Sequence, residues 1–286
     1  MLTKYQTPQL SKVIECIKEF INPEKIFLLG VTVTYNTSEN IFRGSVLPSF
    51  EAKEYQLFIL LPHQEKRRIE ELQEIVETKC KEHALVTTLI AGMNVFNHWL
   101  VKGHLFAHIV HASNCLVYDA GNTALAEPGV YSIPDLYQRG QKEFKDWFAK
   151  AVEFMIGVEV YRVRKQYPVA VFMLHQATEL AFMASLRLTT GFRVATHNLD
   201  KMLRYAVPFC GDEFNIFPRN NDKERRLFKL LQKAYIYGRY KDDFVVEEKD
   251  LLLIKERVEQ LLSAAQQISI QNTPKTTYNE TDSTSH

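Results

Sequence analysis

The hydrophobic pattern of the chain changes near its middle. Over the first 120 residues, apolar positions at helical spacing alternate with short apolar runs that are typical of buried strands. Beyond residue 134, every strong period is helical. The pattern therefore predicts an α+β protein, in which a small α/β domain with a mixed sheet precedes an all-α helical bundle.

The N-terminal half is predicted to contain three helices and four strands. Apolar periodicity places helices at 9–21, 64–82 and 94–111, and apolar runs place strands at 25–35, 55–61, 84–91 and 115–118. From residue 119 to 134 the composition shifts to Gly, Asn, Pro and Ala, which is typical of a connection between domains. We therefore expect one domain at 1–120 and a linker at 121–134.

The C-terminal half is predicted to be a bundle of five helices. Its helical segments are 135–166, 168–190, 198–207, 222–237 and 249–268. The first helix ends at the Tyr167–Pro168 step, because helical backbone angles are disfavoured before proline, and Pro168 suits the first turn of the next helix. The polar residues 269–286 are expected to form a disordered tail, which leaves 135–268 as the helical domain.

The composition is that of a globular protein without a strong overall charge. The 286 residues are 46% hydrophobic and 24% charged, and the formal net charge is +1, so no global field favours nucleic acid or a membrane as partner. The N-terminus lacks the apolar core of a signal peptide, and no stretch reaches the roughly 18 uncharged apolar residues of a membrane span. The 4 cysteines are far apart, which predicts reduced thiols. We expect a cytoplasmic protein with no membrane partner.

Histidines in the segment 94–111 raise the question of a metal site. His104 and His108 are four residues apart, a spacing that places two ligands on one helix face. No Glu accompanies them in a His-Glu-x-x-His motif, and the residues around them include Phe96, Trp99 and Phe106. The pattern therefore favours an aromatic face that packs on the sheet or on the helical domain, and no metal or other cofactor is predicted.

Polar residues interrupt the most apolar predicted helix. His175 and Glu179 lie four residues apart and therefore share one face of it. A His-x-Leu turn follows, and tyrosines flank an arginine further on, within the segment 235–242. In this order the residues resemble the HEPN domain, whose positions are matched by Gln176, Glu179, His197, Leu199, Tyr237, Arg239 and Tyr240.

The HEPN resemblance covers about residues 135–268. It implies a helical bundle that forms homodimers and has a cleft lined by polar residues of its middle helices. It also implies that the ligand is a nucleotide or RNA. The candidate ligand-binding residues are His175, Glu179, His197, Arg239 and Tyr240.

Many HEPN proteins are metal-independent ribonucleases in which four to six residues separate an Arg from a following His. Such a pair suits phosphodiester cleavage, because the His moves protons near neutral pH while the Arg stabilises phosphorane charge. Phe244, Val245 and Val246 stand five to seven places after Arg239, so the sequence lacks this motif. The catalytic candidates are Arg239 and His197 brought together in space, and the sequence leans against an enzyme.

Glu179 and His197 each have a structural and a functional interpretation. A carboxylate on an apolar face needs a partner, and a structural Glu179–Arg239 pair would supply one. In the functional interpretation, His175, Glu179, Arg239 and Tyr240 line a pocket for a nucleotide or phosphate, with Arg239 as the anion ligand. His197 either caps the next helix or belongs to that pocket. Arg193 stands four residues before His197, with Val194, Ala195 and Thr196 between them, and is interpreted as part of a turn.

The order of elements in residues 10–119 resembles the minimal nucleotidyltransferase fold. Active members carry Gly-Ser after the first strand and an Asp-x-Asp pair that holds Mg²⁺ ions at the nucleotide phosphates. Here Val31 follows Gly30, and the acidic pair is replaced by Glu54 and Gln56. A neutral amide does not replace the lost charge, so the resemblance implies a catalytically degenerate domain.

The window 219–229 is basic, with five Lys or Arg residues opposed by Asp222 and Glu224. A solvated helix face explains this pattern, and an RNA-facing edge is the alternative. Aromatic residues are not interleaved regularly enough to predict base stacking there.

Three functions remain open from the sequence. The favoured hypothesis is a protein that binds a nucleotide or RNA through the helical domain and forms a homodimer. The first alternative is a HEPN ribonuclease or toxin-like effector, and the second is a structural scaffold without a ligand.

Overall fold

The computed structural model describes residues 7–36, 39–40, 44–45, 49–130, 132–194, 196–241 and 243–271. The chain divides into two compact units, 1–131 and 132–286, and the division falls inside the stretch 121–134. The first unit contains a mixed sheet and the second is helical, so the predicted α+β fold class is confirmed.

The N-terminal unit is built on a sheet of four strands in the order β5-β4-β1-β6. Its larger strands are β1 (Lys25–Asn36), β4 (Ser49–Leu61), β5 (Leu85–Gly92) and β6 (Leu116–Asp119), and its helices are α1 (Pro8–Phe20), α2 (Ile69–Lys79), α3 (Met93–Val101) and α4 (Leu105–Ala112). The two-residue strands β2 (Glu39–Asn40) and β3 (Gly44–Ser45) pair with each other. Strand β4 pairs in parallel with β5, and β1 pairs antiparallel with both β4 and β6.

Side chains of β4 alternate between two apolar layers, as the period of a strand requires. Tyr55, Leu57 and Ile59 belong to one core cluster with buried residues of α1 and α2. Phe58 points to the other face, where its ring contacts those of Phe96 and Phe106 at 5.3 and 4.9 Å. The predicted packing of the aromatic segment on the sheet is therefore confirmed.

The segment 94–111 was predicted as one helix, and that prediction is wrong. The chain breaks between α3 and α4 at Gly103, whose φ of 66° lies in the left-handed region that favours glycine. His104 precedes α4 as its N-cap residue and its carbonyl accepts the N–H of His108, while its ring stacks on Trp99. Among the described residues, no group of three or more His, Cys, Asp or Glu side chains is placed to hold a metal ion.

The helix predicted at 64–82 is also shorter than expected. It begins at Ile69, because the Glu65 carboxylate accepts hydrogen bonds from the backbone N–H groups of Lys66 and Arg67 and holds a turn there. It ends at Lys79 and is followed by a single 3₁₀ turn at Cys80–Glu82.

The C-terminal unit packs four helices around a central one. Its helices are α5 (Ile133–Val163), α6 (Tyr167–Thr190), α7 (Leu199–Cys210), α8 (Asp222–Tyr240) and α9 (Glu248–Gln271). Helix α6 contacts each of the other four. It is long and apolar enough to cross a membrane by length and composition, but 67% of its most apolar window is buried inside the structure, as in the core helix of a bundle.

The ends of these helices differ from the sequence prediction by a few residues. Helix α5 ends at Val163, since Lys165 adopts a positive φ, and Pro168 lies in the first turn of α6 as expected. Helix α9 continues to Gln271, so residues 269–271 are helical and not part of the predicted tail. The rest of that tail, 272–286, lies outside the described residues.

Candidate functional site

A hydrogen-bonded pair joins α6 to the loop before α7. Nδ1 of His197 lies 3.0 and 3.1 Å from the two carboxylate oxygens of Glu179. The loop is fixed at this point because Asn198 caps α7 and the backbone N–H of Leu199 donates to Oε1 of Gln232 on α8 at 2.8 Å. Glu179 is buried, whereas 59% of the His197 side chain is exposed.

This pair corrects two interpretations drawn from the sequence. Glu179 has His197 as its partner, and no Glu179–Arg239 pair forms. Nε of Arg239 instead donates to the backbone oxygen of Tyr235 at 2.6 Å, which directs the guanidinium along α8. His197 is not the cap of α7, because the Asn198 side chain accepts the N–H groups that the cap must satisfy.

The ring of Tyr235 lies at the centre of the site. The His197 ring stacks on it with centroids 4.5 Å apart and planes 16° apart, and the His175 ring lies 5.2 Å away. Cζ of Arg239 lies 4.4 Å from the same centroid. We call His175, Glu179, His197, Tyr235 and Arg239 the Tyr235 cluster. The helical spacing of Tyr235 and Arg239, four residues apart, was the sequence signal that could have identified this ring.

Arg239 is an exposed cation enclosed by aromatic rings. Its Cζ lies 5.1 Å from the Phe172 centroid and 4.9 Å from that of Tyr240, in addition to the Tyr235 contact. Within the described ranges, no carboxylate forms an ion pair with it; Asp242 lies outside those ranges. The guanidinium is therefore held by rings and a backbone carbonyl, and its charge is left uncompensated by this part of the chain.

His175 is the fully buried member of the Tyr235 cluster. Its side chain is fully buried, and its Nδ1 accepts a hydrogen bond of 3.3 Å from Nε2 of Gln176. Burial lowers the pKa of His175 to about 4, and the charges of His197 and Arg239 act in the same direction, while the backbone of His197 opposes them. His175 is therefore uncharged near neutral pH.

The Glu179 carboxylate sets the orientation of His197. Burial raises the pKa of Glu179 above its ordinary value, and the hydrogen bond from His197 partly offsets that effect. A carboxylate that holds Nδ1 of an imidazole fixes the tautomer and leaves Nε2 as the atom that exchanges protons. The arrangement thus combines a proton-transfer group with a fixed cation.

Two of the remaining predicted HEPN positions, Gln176 and Leu199, contact the cluster or hold its loop, and Tyr237 does not. Leu199 is buried and anchors the loop through its backbone, and Gln176 contacts His175. Tyr237 faces away, with its ring against Phe244 at 5.9 Å. Arg193 lies after the end of α6, and its guanidinium is over the ring of Trp147.

The basic window 219–229 is largely neutralised by ion pairs. Arg226 and Asp250 form two hydrogen bonds of 2.6 Å each, Arg225 pairs with Asp222, and Arg219 pairs with Asp200. The Arg226 pair joins α8 to α9, the Arg219 pair joins the residues before α8 to α7, and the Arg225 pair lies within α8. These contacts favour the structural explanation of the window over an RNA-facing edge.

The N-terminal unit places its predicted transferase positions side by side. Gly30 lies opposite Gln56 in the pairing of β1 with β4, and a Cβ at Gly30 would lie 2.8 Å from Oε1 of Gln56. Glu54, two residues before Gln56 and so on the same face, accepts a hydrogen bond from the hydroxyl of Thr87. Nε2 of Gln56 lies 3.3 Å from the Thr32 hydroxyl. The predicted pair thus contributes one carboxylate and one amide.

Comparison with known protein families identifies the helical unit. Residues 144–269 match the HEPN domain model, so this region is a HEPN domain, and the match includes all members of the Tyr235 cluster. No curated protein matches the chain. No family match confirms the nucleotidyltransferase resemblance of the N-terminal unit, which stays a prediction.

Proposed function

We propose that this protein binds a nucleotide or RNA through the Tyr235 cluster, with Arg239 as the ligand of a phosphate group. The observation that carries the proposal is the exposed guanidinium of Arg239, which has ring and backbone contacts but no carboxylate partner in the described ranges. A HEPN domain is compatible with both kinds of ligand.

The geometry of Arg239 suits an anion that arrives from solution. Nε is occupied by the Tyr235 carbonyl, so the two terminal nitrogens remain as donors in a fixed plane. Because Phe172, Tyr235 and Tyr240 surround the side chain, binding costs less rotamer entropy than it would for a free arginine. The buried neutral His175 adds no competing charge.

The binding test compares two arginine substitutions in the same unit. Arg239→Ala is expected to weaken binding of a fluorescein-labelled RNA and of AMP at least about 10-fold, as lost charge-assisted hydrogen bonds predict. Arg164→Ala removes the same charge from an exposed position without an ion pair in the described chain, and it should bind as wild type does. Fluorescence anisotropy and thermal shift measure both. Equal effects of the two substitutions, or no binding by wild type, would refute the proposal.

A second candidate function is metal-independent RNA cleavage. It is favoured by one observation: His197, oriented by Glu179, and Arg239 contact the same Tyr235 ring. Nε2 of His197 would take the proton of a ribose 2′-hydroxyl, whose oxygen attacks the phosphorus and forms a 2′,3′-cyclic phosphate. The P–O5′ bond breaks, the 5′-oxygen leaves as a hydroxyl that takes its proton from solvent, and Arg239 would stabilise the negative charge that develops on the phosphoryl oxygens. Incubating RNA with the same proteins and a chelator, together with His197→Asn, separates the two functions. Cleavage that His197→Asn abolishes while RNA affinity persists supports an enzyme, and no cleavage leaves binding alone.

Homodimerisation through the helical unit and catalytic degeneracy of the N-terminal unit belong to the same proposal. HEPN domains often dimerise, and α5 exposes Val152, Ile156, Val160 and Val163 along one side. Glu54 and Gln56, two positions of the same strand, provide one carboxylate where a two-metal site needs two. The N-terminal unit is therefore proposed to lack nucleotidyl transfer activity.

A further inference from the structure

Tyr240 differs from the other rings around Arg239. The rings of Phe172 and Tyr235 are half-buried within the bundle, whereas Tyr240 is 71% exposed. Its centroid nevertheless lies only 4.9 Å from Cζ of Arg239. An aromatic surface that is open to solvent therefore lies directly beside the uncompensated cation.

The position of Tyr240 follows from the end of α8. The helix continues three residues beyond the sequence prediction and ends at Tyr240, and the N–H of Lys241 still bonds to the carbonyl of Tyr237. Arg239 and Tyr240 are therefore consecutive residues of the last helical turn. The guanidinium of Arg239 contacts the ring of Tyr240 and also that of Tyr235, one turn earlier. The backbone that carries both groups is helical, which fixes their relative placement.

We propose that Tyr240 stacks on the base of the ligand whose phosphate is bound by Arg239, and that it makes the site specific for phosphates linked to an unpaired base. This inference rests on the proposed function. In a nucleotide, one sugar separates the phosphate from the base. Arg239 can therefore bind the phosphate while the adjacent ring of Tyr240 stacks on the base. Aromatic rings stack on any base but need its face to be free, which excludes a base inside a duplex. The ligand class is thus a free nucleotide or a single strand.

The test separates the ring from the cation by comparing ligands with and without a base. Binding of AMP, ribose 5-phosphate, a labelled single-stranded RNA and its blunt-ended duplex is measured for wild type, Tyr240→Ala and Tyr240→Phe. Tyr240→Ala should weaken AMP and single-stranded RNA about 10-fold, as loss of one stacking contact predicts. It should weaken ribose 5-phosphate much less, because Phe172 and Tyr235 still hold the Arg239 side chain, and Tyr240→Phe should restore affinity. Leu252→Ala, which trims an exposed apolar side chain on α9, is the control for general effects on the bundle.

The possible results identify which proposal fails. If wild type binds AMP and Arg239→Ala abolishes it, but Tyr240→Ala binds AMP normally, the stacking role is wrong and the phosphate site stands. Equal affinity of wild type for AMP and ribose 5-phosphate, or for single strand and duplex, also overturns the stacking role. If no ligand binds wild type, both proposals fall. Binding of single-stranded RNA but not AMP retains the stacking role and assigns the ligand as a strand.

Discussion

At the scale of single residues, Tyr235 contacts both His197 and Arg239, the two side chains to which the proposed functions assign a role. Its ring contacts His197 at 4.5 Å and Arg239 at 4.4 Å, and its carbonyl oxygen accepts from Arg239. These contacts are of two kinds. The ring orients both His197 and Arg239, and the backbone oxygen holds only Arg239. Replacing the ring should therefore disturb both His197 and Arg239, while the hydrogen bond from Arg239 to the backbone oxygen of residue 235 can still form.

Substituting Tyr235 tests this role of the ring. Tyr235→Leu should weaken RNA or AMP binding about 10-fold, since a stacked imidazole and a cation over the ring each contribute about 1 kcal/mol. Tyr235→Phe keeps the ring and should bind nearly as wild type does. Affinity is measured by anisotropy, and circular dichroism checks that both variants are folded. Equal binding by Tyr235→Leu and wild type would show that the ring is not needed.

The contacts between the predicted site residues could be predicted only in part. His175, Glu179, His197, Arg239 and Tyr240 were singled out from their order and spacing; the first four belong to the Tyr235 cluster, and the ring of Tyr240 lies beside Arg239. Their role in ligand binding stays a prediction. The predicted Glu179–Arg239 pair was wrong, because a sequence shows that a buried carboxylate needs a partner but not which side chain the fold brings to it. The loop that carries His197 is held by a hydrogen bond from Leu199 to Gln232, which joins positions 33 apart, and no local pattern contains such a contact.

At the scale of elements, α8 is held against α9 by the Arg226–Asp250 pair. Asp250 is buried and lies in the first turn of α9, where a negative charge is favourable, and both of its oxygens accept from Arg226. The hydrogen bonds from Arg226 are the main reason that the pKa of Asp250 is lowered. Since α8 carries Tyr235, Arg239 and Tyr240, this pair supports the helix on which the site is built.

Asp250→Asn should lower the free energy of unfolding at pH 7 by about 1–2 kcal/mol, less than for a fully buried pair because half of Arg226 is exposed. A lowered pKa in the folded state means that the carboxylate stabilises the fold above its ordinary pKa of 3.8 and loses this effect as the pH falls through the folded value. Urea unfolding at several pH values should therefore show the difference between wild type and variant shrinking below pH 3.8. A difference that is absent at pH 7, or constant with pH, would contradict the assignment.

Element types were predictable where a period is strong, and element ends were not. The five helices of the HEPN-containing unit follow from spacing alone, and so do the buried strands. The break at Gly103 was missed because apolar periodicity continues across it, and only the backbone geometry separates α3 from α4. The extension of α8 to Tyr240 was missed because Gly238 suggests an end, although in the structure it lies inside the helix, where a Cβ would meet the Pro168 carbonyl at 2.9 Å.

At the scale of the whole molecule, α5 carries a row of apolar side chains that are exposed to solvent. Val152, Ile156, Val160 and Val163 follow at spacings of three or four along α5 and are 39%, 56%, 52% and 74% exposed. A contiguous row of exposed apolar side chains is typical of a surface that a partner covers. A second copy of the HEPN domain is the proposed partner, which makes each row pack against its equivalent across a two-fold axis.

Ile156→Glu places a charge near the middle of this row and should convert a homodimer into a monomer, because the symmetry would bring two such charges into one apolar interface. Size-exclusion chromatography with light scattering measures the mass against the 33.2 kDa of one chain. Leu252→Glu adds the same charge at an exposed apolar position on α9 and should leave the dimer intact. A monomeric wild type would refute the dimer outright, and a dimer that survives Ile156→Glu would place the interface on another surface. RNA affinity measured on the same fractions then decides whether the Tyr235 cluster acts within one protomer, since a monomer with full affinity needs no residue from its partner.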